Sequence, residues 1–122
     1  MAFFGFREDL HAYVRENLKG RYRLGLLTNH IRSWLEPFLE EQGLNETFDT
    51  ITTSYEAGVA KPDKSIYEKA LGALEAAPEE CVYIDDRPKN LEPARELGMR
   101  TIHFRSLEQF KEELEAITPP SH

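Results

Sequence analysis

Short apolar runs that alternate with amphipathic segments constrain the fold of this chain more than any other feature of its sequence. Four runs are rich in apolar or β-branched residues and too short for helices, which predicts buried strands over residues 22–27, 48–53, 81–84 and 100–104. Apolar residues three and four apart predict helices over residues 8–18, 31–42, 65–75, 91–97 and 107–117. This alternation predicts an α/β fold, Rossmann-like and three-layered (α/β/α), with a parallel sheet of about four strands.

The composition is that of one acidic domain. A length of 122 residues predicts a single domain over residues 1–118, and residues 119–122 read as a disordered tail. The net charge is −7 and no basic stripe is present, which argues against a nucleic-acid partner. No segment reads as a signal peptide or a membrane span. The single cysteine, Cys81, lies in an apolar run, so we expect a buried thiol and a cytoplasmic protein.

Polar side chains follow three of the predicted strands at the points where these strands end. Thr28 and Asn29 follow the first strand, Lys61 lies in the loop after the second, and Asp85 and Asp86 end the third. Ligands of parallel α/β sheets bind beyond the carboxyl ends of the strands, and these ends lie at one edge. The sequence therefore predicts that all three groups meet at a single site.

These groups are the types that a phosphate and a magnesium ion require. A hydroxyl and a backbone amide before a helix can bind an anion, and a lysine adds positive charge. Adjacent carboxylates suit Mg²⁺, which takes one or two protein carboxylates and fills its shell with water and phosphate oxygens. Three alternatives stay open: the Thr-Asn pair caps the next helix, Lys61 lies in a solvated loop, and Arg87 or Lys89 compensates the paired aspartates. None of the three groups supplies a nucleophile.

Three stretches of the chain resemble the haloacid dehalogenase superfamily of phosphatases and related hydrolases. They are YRLGLLTNH, SYEAGVAKPDKSIYEKAL and CVYIDDRPKNLEPARELGMRTIHF, and the resemblance covers about residues 5–110. The third stretch is the most specific. The resemblance implies that Thr28 and the amide of Asn29 bind phosphoryl oxygens. It also implies that Lys61 is a catalytic and phosphate-binding residue, which neutralises the carboxylate nucleophile and the transferring phosphoryl group.

The same resemblance implies a metal site at the paired aspartates. Asp86 is the expected Mg²⁺ ligand, Asp85 lies behind it or substitutes for it, and Asn90 is close behind both. The family also begins with an apolar strand that ends in an Asp-x-Asp motif, followed by a cap insertion. The first aspartate of that motif is the nucleophile, and the second is the general acid/base. Nothing in this chain matches the motif, since the first acidic residues open a predicted helix.

The expected core is therefore truncated, with a gap between the strands that end at Thr28 and Ile84. Three outcomes are open: the two strands close together, residues 2–6 fill part of the gap, or another polypeptide supplies a strand, for instance in a homodimer.

By resemblance, the function is Mg²⁺-dependent hydrolysis of a small phosphate ester, with the nucleophile strand missing from the chain and Mg²⁺ binding weak as a result. The alternative is an inactive remnant that serves as an anion-binding or protein-interaction module. A third alternative is that the sequence is part of a longer protein. Substrate choice in this family rests largely on the cap, so the sequence does not identify the substrate.

Overall fold

The chain folds around a sheet of five parallel strands. The computed structural model describes residues 2–4, 12–20, 22–29, 32–41 and 43–117, and only the backbone of residues 2–4, 32–35 and 38. The strands run in the order β3-β2-β1-β4-β5, and every pair is parallel. Their bounds are β1 (Ala2–Phe4), β2 (Leu24–Thr28), β3 (Thr50–Thr53), β4 (Val82–Asp85) and β5 (Arg100–His103).

The central strand, β1, corrects the prediction of about four strands. Phe3 pairs with Gly25 of β2 on one side and with Tyr83 of β4 on the other. The gap expected between β2 and β4 is thus filled by the chain itself, which is the second of the three outcomes left open. Three residues followed by a glycine are too short to show a period, so the sequence pattern could not mark them as a strand.

Helices connect the strands, as the alternation predicts. They are α1 (Val14–Leu18, wound as a π-helix), α2 (Arg32–Glu41), α3 (Leu44–Thr47), α4 (Ser54–Ala57), α5 (Lys64–Leu74), α6 (Pro88–Leu97) and α7 (Leu107–Ile117). Pro37 lies inside α2 without ending it. The connection between β3 and α5 begins as the short α4, which the Thr53 side chain caps by accepting a bond from the Glu56 amide. Residues 8–11 of the first predicted helix lie outside the described part.

Two apolar clusters cover the two faces of the sheet and confirm the three-layer architecture. Along β4, Val82 and Ile84 join the cluster that packs against α1 and α7, whereas Tyr83 joins the cluster that packs against α5 and α6. Successive strand residues point to opposite faces, so a parallel sheet of this kind is buried on both sides. The sheet is therefore covered by helices on both faces, and the loops that follow its strands begin at its carboxyl edge.

Smaller predictions are also decided by the structure. Cys81 is buried, as expected. At the start of α7, the Ser106 hydroxyl accepts a bond from the Gln109 amide at 3.2 Å. Within the described ranges, no helix has the length and apolar character needed to cross a membrane. The predicted tail, residues 119–122, lies outside the described residues.

Candidate functional site

The predicted groups meet at the carboxyl edge of the sheet. Thr28 is the last residue of β2 and is buried, and Asp85 is the last residue of β4 and is buried as well. Lys61 lies in the loop between α4 and α5 and forms an ion pair with Asp85, with its Nζ 3.1 Å from Asp85 Oδ2. The side chains of this ion pair are only 8% and 3% exposed. Lys61 thus compensates the charge of Asp85, the role that the sequence analysis had offered to Arg87 or Lys89.

Besides Lys61, three further donors bond to the Asp85 carboxylate, one on β4 itself and two at the start of α6. Its Oδ2 accepts from the Tyr83 hydroxyl at 2.7 Å and from Asn90 Nδ2 at 3.1 Å. Its Oδ1 accepts from the Arg87 backbone amide at 3.0 Å, which turns the chain into α6. Burial raises the pKa of Asp85, but the Lys61 charge and the bonds from Tyr83 and the Arg87 amide outweigh it, so the pKa lies below its usual value. The carboxylate is therefore ionised at neutral pH.

Asn29 joins the end of β2 to the lysine loop. Its Oδ1 accepts from the Lys61 backbone amide at 2.9 Å, and its Nδ2 donates to the Lys61 carbonyl oxygen at 3.1 Å. The peptide bond that follows, Lys61–Pro62, is cis. Asp63 then caps α5 by accepting from the Ser65 amide at 2.9 Å. The backbone of Lys61 is thus bound at both its amide and its carbonyl oxygen by the side chain of Asn29.

Two buried tyrosines, Tyr67 and Tyr83, support the site, a role that the sequence analysis did not predict for either. The Tyr83 hydroxyl contacts Asp85, while the Tyr67 hydroxyl donates to the Asn90 carbonyl oxygen at 2.6 Å, and the two rings pack edge to face at 5.2 Å. Burial raises the pKa of both phenols, so both stay protonated and act as donors. Tyr83 lies two positions before Asp85 on the same strand, and this spacing on one face was the signal available in the sequence.

Asp86 differs from its neighbour in being exposed at the rim. Its carbonyl oxygen lies 3.1 Å from His103 Nε2, so that nitrogen carries the proton and donates to it. His103 ends β5 and pairs in register with Asp85, so it belongs to the same edge. The His103 ring therefore contacts the backbone of the aspartate pair.

The donors at this edge suit a magnesium ion in type. Both oxygens of Asp85 accept bonds from protein donors, whereas Asp86 is exposed. Nowhere in the described ranges do three or more His, Cys, Asp or Glu residues group closely enough to hold a metal. Mg²⁺ binds with as few as one or two protein carboxylates when phosphate and water complete its shell.

A surface cavity of about 340 Å³ lies elsewhere, near the amino ends of β2 and β3. Its lining residues are Lys19, Gly20, Tyr22, Arg23 and Asp49. The Asp49 carboxylate accepts from the Leu24 amide at 2.7 Å, and Lys19 Nζ donates to the Thr47 carbonyl oxygen at 3.2 Å. None of the predicted site residues lines this cavity, so it is a different site from the one at the carboxyl edge.

Comparison with known proteins gives one matching family and several relatives. The model of the haloacid dehalogenase-like hydrolases matches residues 5–104. The chain is 41% identical to rat bifunctional epoxide hydrolase 2 over 75 residues, which cover 62% of this chain and 14% of that protein. It is 33% identical to phosphoserine phosphatase from Thermus thermophilus over 95 residues, which cover 77% of this chain and 38% of that protein. The chain thus spans well under half the length of these relatives.

A solved structure confirms the fold over a protein of similar size. An uncharacterised protein from Corynebacterium glutamicum superposes with a TM-score of 0.80 at 20% identity. The match covers 94% of this chain and 91% of that one.

Proposed function

Because the chain belongs to the haloacid dehalogenase-like hydrolase family, we propose that it forms the phosphoryl-binding core of a phosphatase that acts on a small phosphate ester. Phosphatases among the relatives support this class of reaction. The lone, buried cysteine fits a cytoplasmic location.

The buried pair of Lys61 and Asp85 carries the proposal. Taking two charges out of water costs free energy that apolar residues of similar volume would not, so such a pair is weak evidence for a purely structural role. Here the pair lies at the carboxyl edge, where ligands of parallel sheets bind. One ammonium proton of Lys61 is directed to Asp85, and the amine has two further donors for a phosphoryl oxygen.

Each proposed site residue has a defined task in binding and charge compensation. The hydroxyl of Thr28 and the backbone amide of Asn29 would donate to phosphoryl oxygens, and Lys61 would offset the charge that builds up as the phosphoryl group moves to its acceptor. Asp86 would hold Mg²⁺, with Asp85 and Asn90 behind it. The metal, when bound, polarises phosphoryl oxygens and neutralises their charge.

The nucleophile is the component that this sequence lacks. β1 occupies the central position of the sheet, yet the residues after it are Gly5, Phe6 and Arg7, and no aspartate precedes Asp9. Hydrolysis through an aspartyl intermediate would need a carboxylate from a second copy, another chain or another part of a longer protein. Since β1 already pairs with β2 and β4, a strand from elsewhere would have to displace it.

The missing nucleophile favours a second candidate, a non-catalytic module that binds anions. The five described strands form a continuous sheet without an Asp-x-Asp segment. The sheet therefore forms without the motif that hydrolysis through an aspartyl intermediate requires. Both candidates require phosphate binding at Lys61, and only the first requires hydrolysis.

Binding is tested by titrating inorganic phosphate, with and without Mg²⁺, into the 122-residue chain by calorimetry. We expect Lys61→Met to weaken binding at least about tenfold, because it removes a charged donor. Lys64→Met is the matched control: this lysine is half-exposed and pairs with Glu96 at 3.3 Å, so its loss should change affinity less than about twofold. Equal effects of the two substitutions would contradict the proposal.

Catalysis is tested by Mg²⁺-dependent hydrolysis of an aryl phosphate. The double substitution Gly5→Asp with Arg7→Asp places an Asp-x-Asp motif directly after β1. Turnover that arises with this change and disappears with Lys61→Met would support the phosphatase. Phosphate binding without turnover in either form would favour the non-catalytic module.

A further inference from the structure

The side chain of Asn29 makes its two hydrogen bonds to one residue 32 positions further along the chain. Oδ1 accepts from the Lys61 amide at 2.9 Å and Nδ2 donates to the Lys61 carbonyl at 3.1 Å. Asn29 follows the last residue of β2 directly, so it is attached to a strand that is paired on both sides. Lys61 lies in a loop, between α4 and α5, that no strand pairing holds.

Lys61 is consequently fixed at two points, the backbone by Asn29 and the ammonium group by Asp85. A lysine side chain has four flexible carbons, so an ion pair alone leaves the position of the nitrogen poorly defined. Anchoring the backbone restricts where the amine can lie. Meanwhile, one amide hydrogen and one lone pair of the Asn29 side chain are committed to Lys61, and they cannot serve a phosphate at the same time.

We infer that Asn29 is a positioning residue, whose side chain acts on phosphate through the placement of the Lys61 amine. The inference has two parts. The first, called the structural arm, is that Asn29 restrains Lys61, and it is independent of any ligand. The second, called the phosphate arm, is that this restraint strengthens phosphate binding, and it rests on the proposed function.

The structural arm is tested in the ligand-free chain by lysine acylation, with the rate at each lysine read by mass spectrometry. Lys61 should react slowly in the wild type, since its side chain is only 8% exposed. In Asn29→Ala we expect its rate to rise at least about threefold, with Lys64 unchanged as the internal reference. The matched control is Asn17→Ala, which removes an exposed bond from Asn17 Nδ2 to the Tyr13 carbonyl oxygen and should leave the Lys61 rate unchanged.

The phosphate arm is a double-mutant cycle measured by calorimetry. Asn29→Ala should weaken phosphate binding about fivefold in the wild-type background and have little effect in the Lys61→Met background, because its action passes through that amine. An equal loss in both backgrounds would show that Asn29 contacts phosphate directly and would overturn the inference.

The two arms separate the possible failures. An unchanged Lys61 acylation rate in Asn29→Ala overturns the inference, whatever happens with phosphate. A wild-type chain that does not bind phosphate overturns the proposed function, while a raised acylation rate would still support the restraint on Lys61.

Discussion

At the scale of single residues, one buried carboxylate organises the site. Asp85 receives the Lys61 ammonium, the Tyr83 hydroxyl, the Asn90 amide and the Arg87 backbone amide. A buried charge is tolerated only when its hydrogen-bonding capacity is satisfied, and here it is satisfied by donors from several elements. Removing any one donor should therefore cost stability and change the acidity of the carboxyl group.

Tyr83→Phe tests this at the shortest of the bonds, 2.7 Å. We expect a loss of about 1–2 kcal/mol in the free energy of unfolding at pH 7, because a hydrogen bond to a buried charge is lost while the packing is kept. Urea unfolding measures it. Tyr55→Phe is the control, since it removes an exposed bond to Glu36 at 3.3 Å and should change stability by less than about 0.5 kcal/mol. Equal losses in the two variants would contradict the account.

The lowered pKa of Asp85 makes part of the stability depend on pH. Burial raises the pKa of Asp85, but the combined lowering by Lys61, Tyr83 and the Arg87 amide is larger. The pKa in the folded chain therefore lies below that in the unfolded chain. The ionised group therefore stabilises the fold above a pH of about 4, and this contribution is lost as the pH falls through the folded-state pKa.

Asp85→Asn should remove that dependence. The stability difference between the wild type and this variant should be largest near pH 7 and shrink below about pH 4, as measured by urea unfolding at several pH values. A difference that stays constant or grows toward acid pH would mean that Asp85 is not the ionised partner of Lys61.

The sequence allowed much of the residue-scale picture to be predicted, and its limits are physical. Thr28, Lys61 and Asp85 were located at one edge because the carboxyl ends of parallel strands must meet there. The contacts of Asn29, Tyr83 and His103 depend on side-chain directions, which no spacing rule specifies.

At the scale of elements, the C-terminal ends of two helices have the same backbone conformation but different residue types. α5 and α6 both end in a residue with left-handed backbone, Glu75 (φ 55°) and Gly98 (φ 103°). Side chains with a Cβ are disfavoured in this region, whereas glycine is not. Only one of the two helices therefore carries the residue that suits its end.

Opposite substitutions at these two ends should have opposite effects. Glu75→Gly should stabilise the chain by about 0.5–1 kcal/mol, and Gly98→Ala should destabilise it by about 1 kcal/mol or more. Thermal unfolding measures both. Glu68→Gly, at an exposed position inside α5, is the control for the first change and should destabilise by about 1 kcal/mol. Stabilisation in that control would show that the effect at residue 75 is not conformational.

Element positions were predictable where a period is long enough to be read. The prediction for α7 matches its observed bounds, and those for α5 and β4 are displaced by a residue. β1 has only three residues, and its identity depends on pairing with strands that lie more than 20 positions further along the chain. Such pairing is a property of the tertiary fold.

At the scale of the whole molecule, β1 makes the sheet continuous. It is the only strand of the described residues that pairs with both β2 and β4. Phe3→Pro should therefore destabilise the chain by about 3 kcal/mol or more, since proline cannot donate in the middle of a sheet. Circular dichroism and urea unfolding would detect the loss. Unchanged stability would show that the strand is not a part of the folded sheet.

The central claim is that phosphate binds at the carboxyl edge of the sheet, and backbone amide shifts during a phosphate titration test it most directly. The largest changes in backbone amide chemical shift should fall on Thr28, Asn29, Lys61 and Asp86. Shifts concentrated at Lys19, Tyr22 and Arg23, which line the cavity near the opposite edge, would contradict it, as would a chain whose amide signals do not respond to phosphate at all.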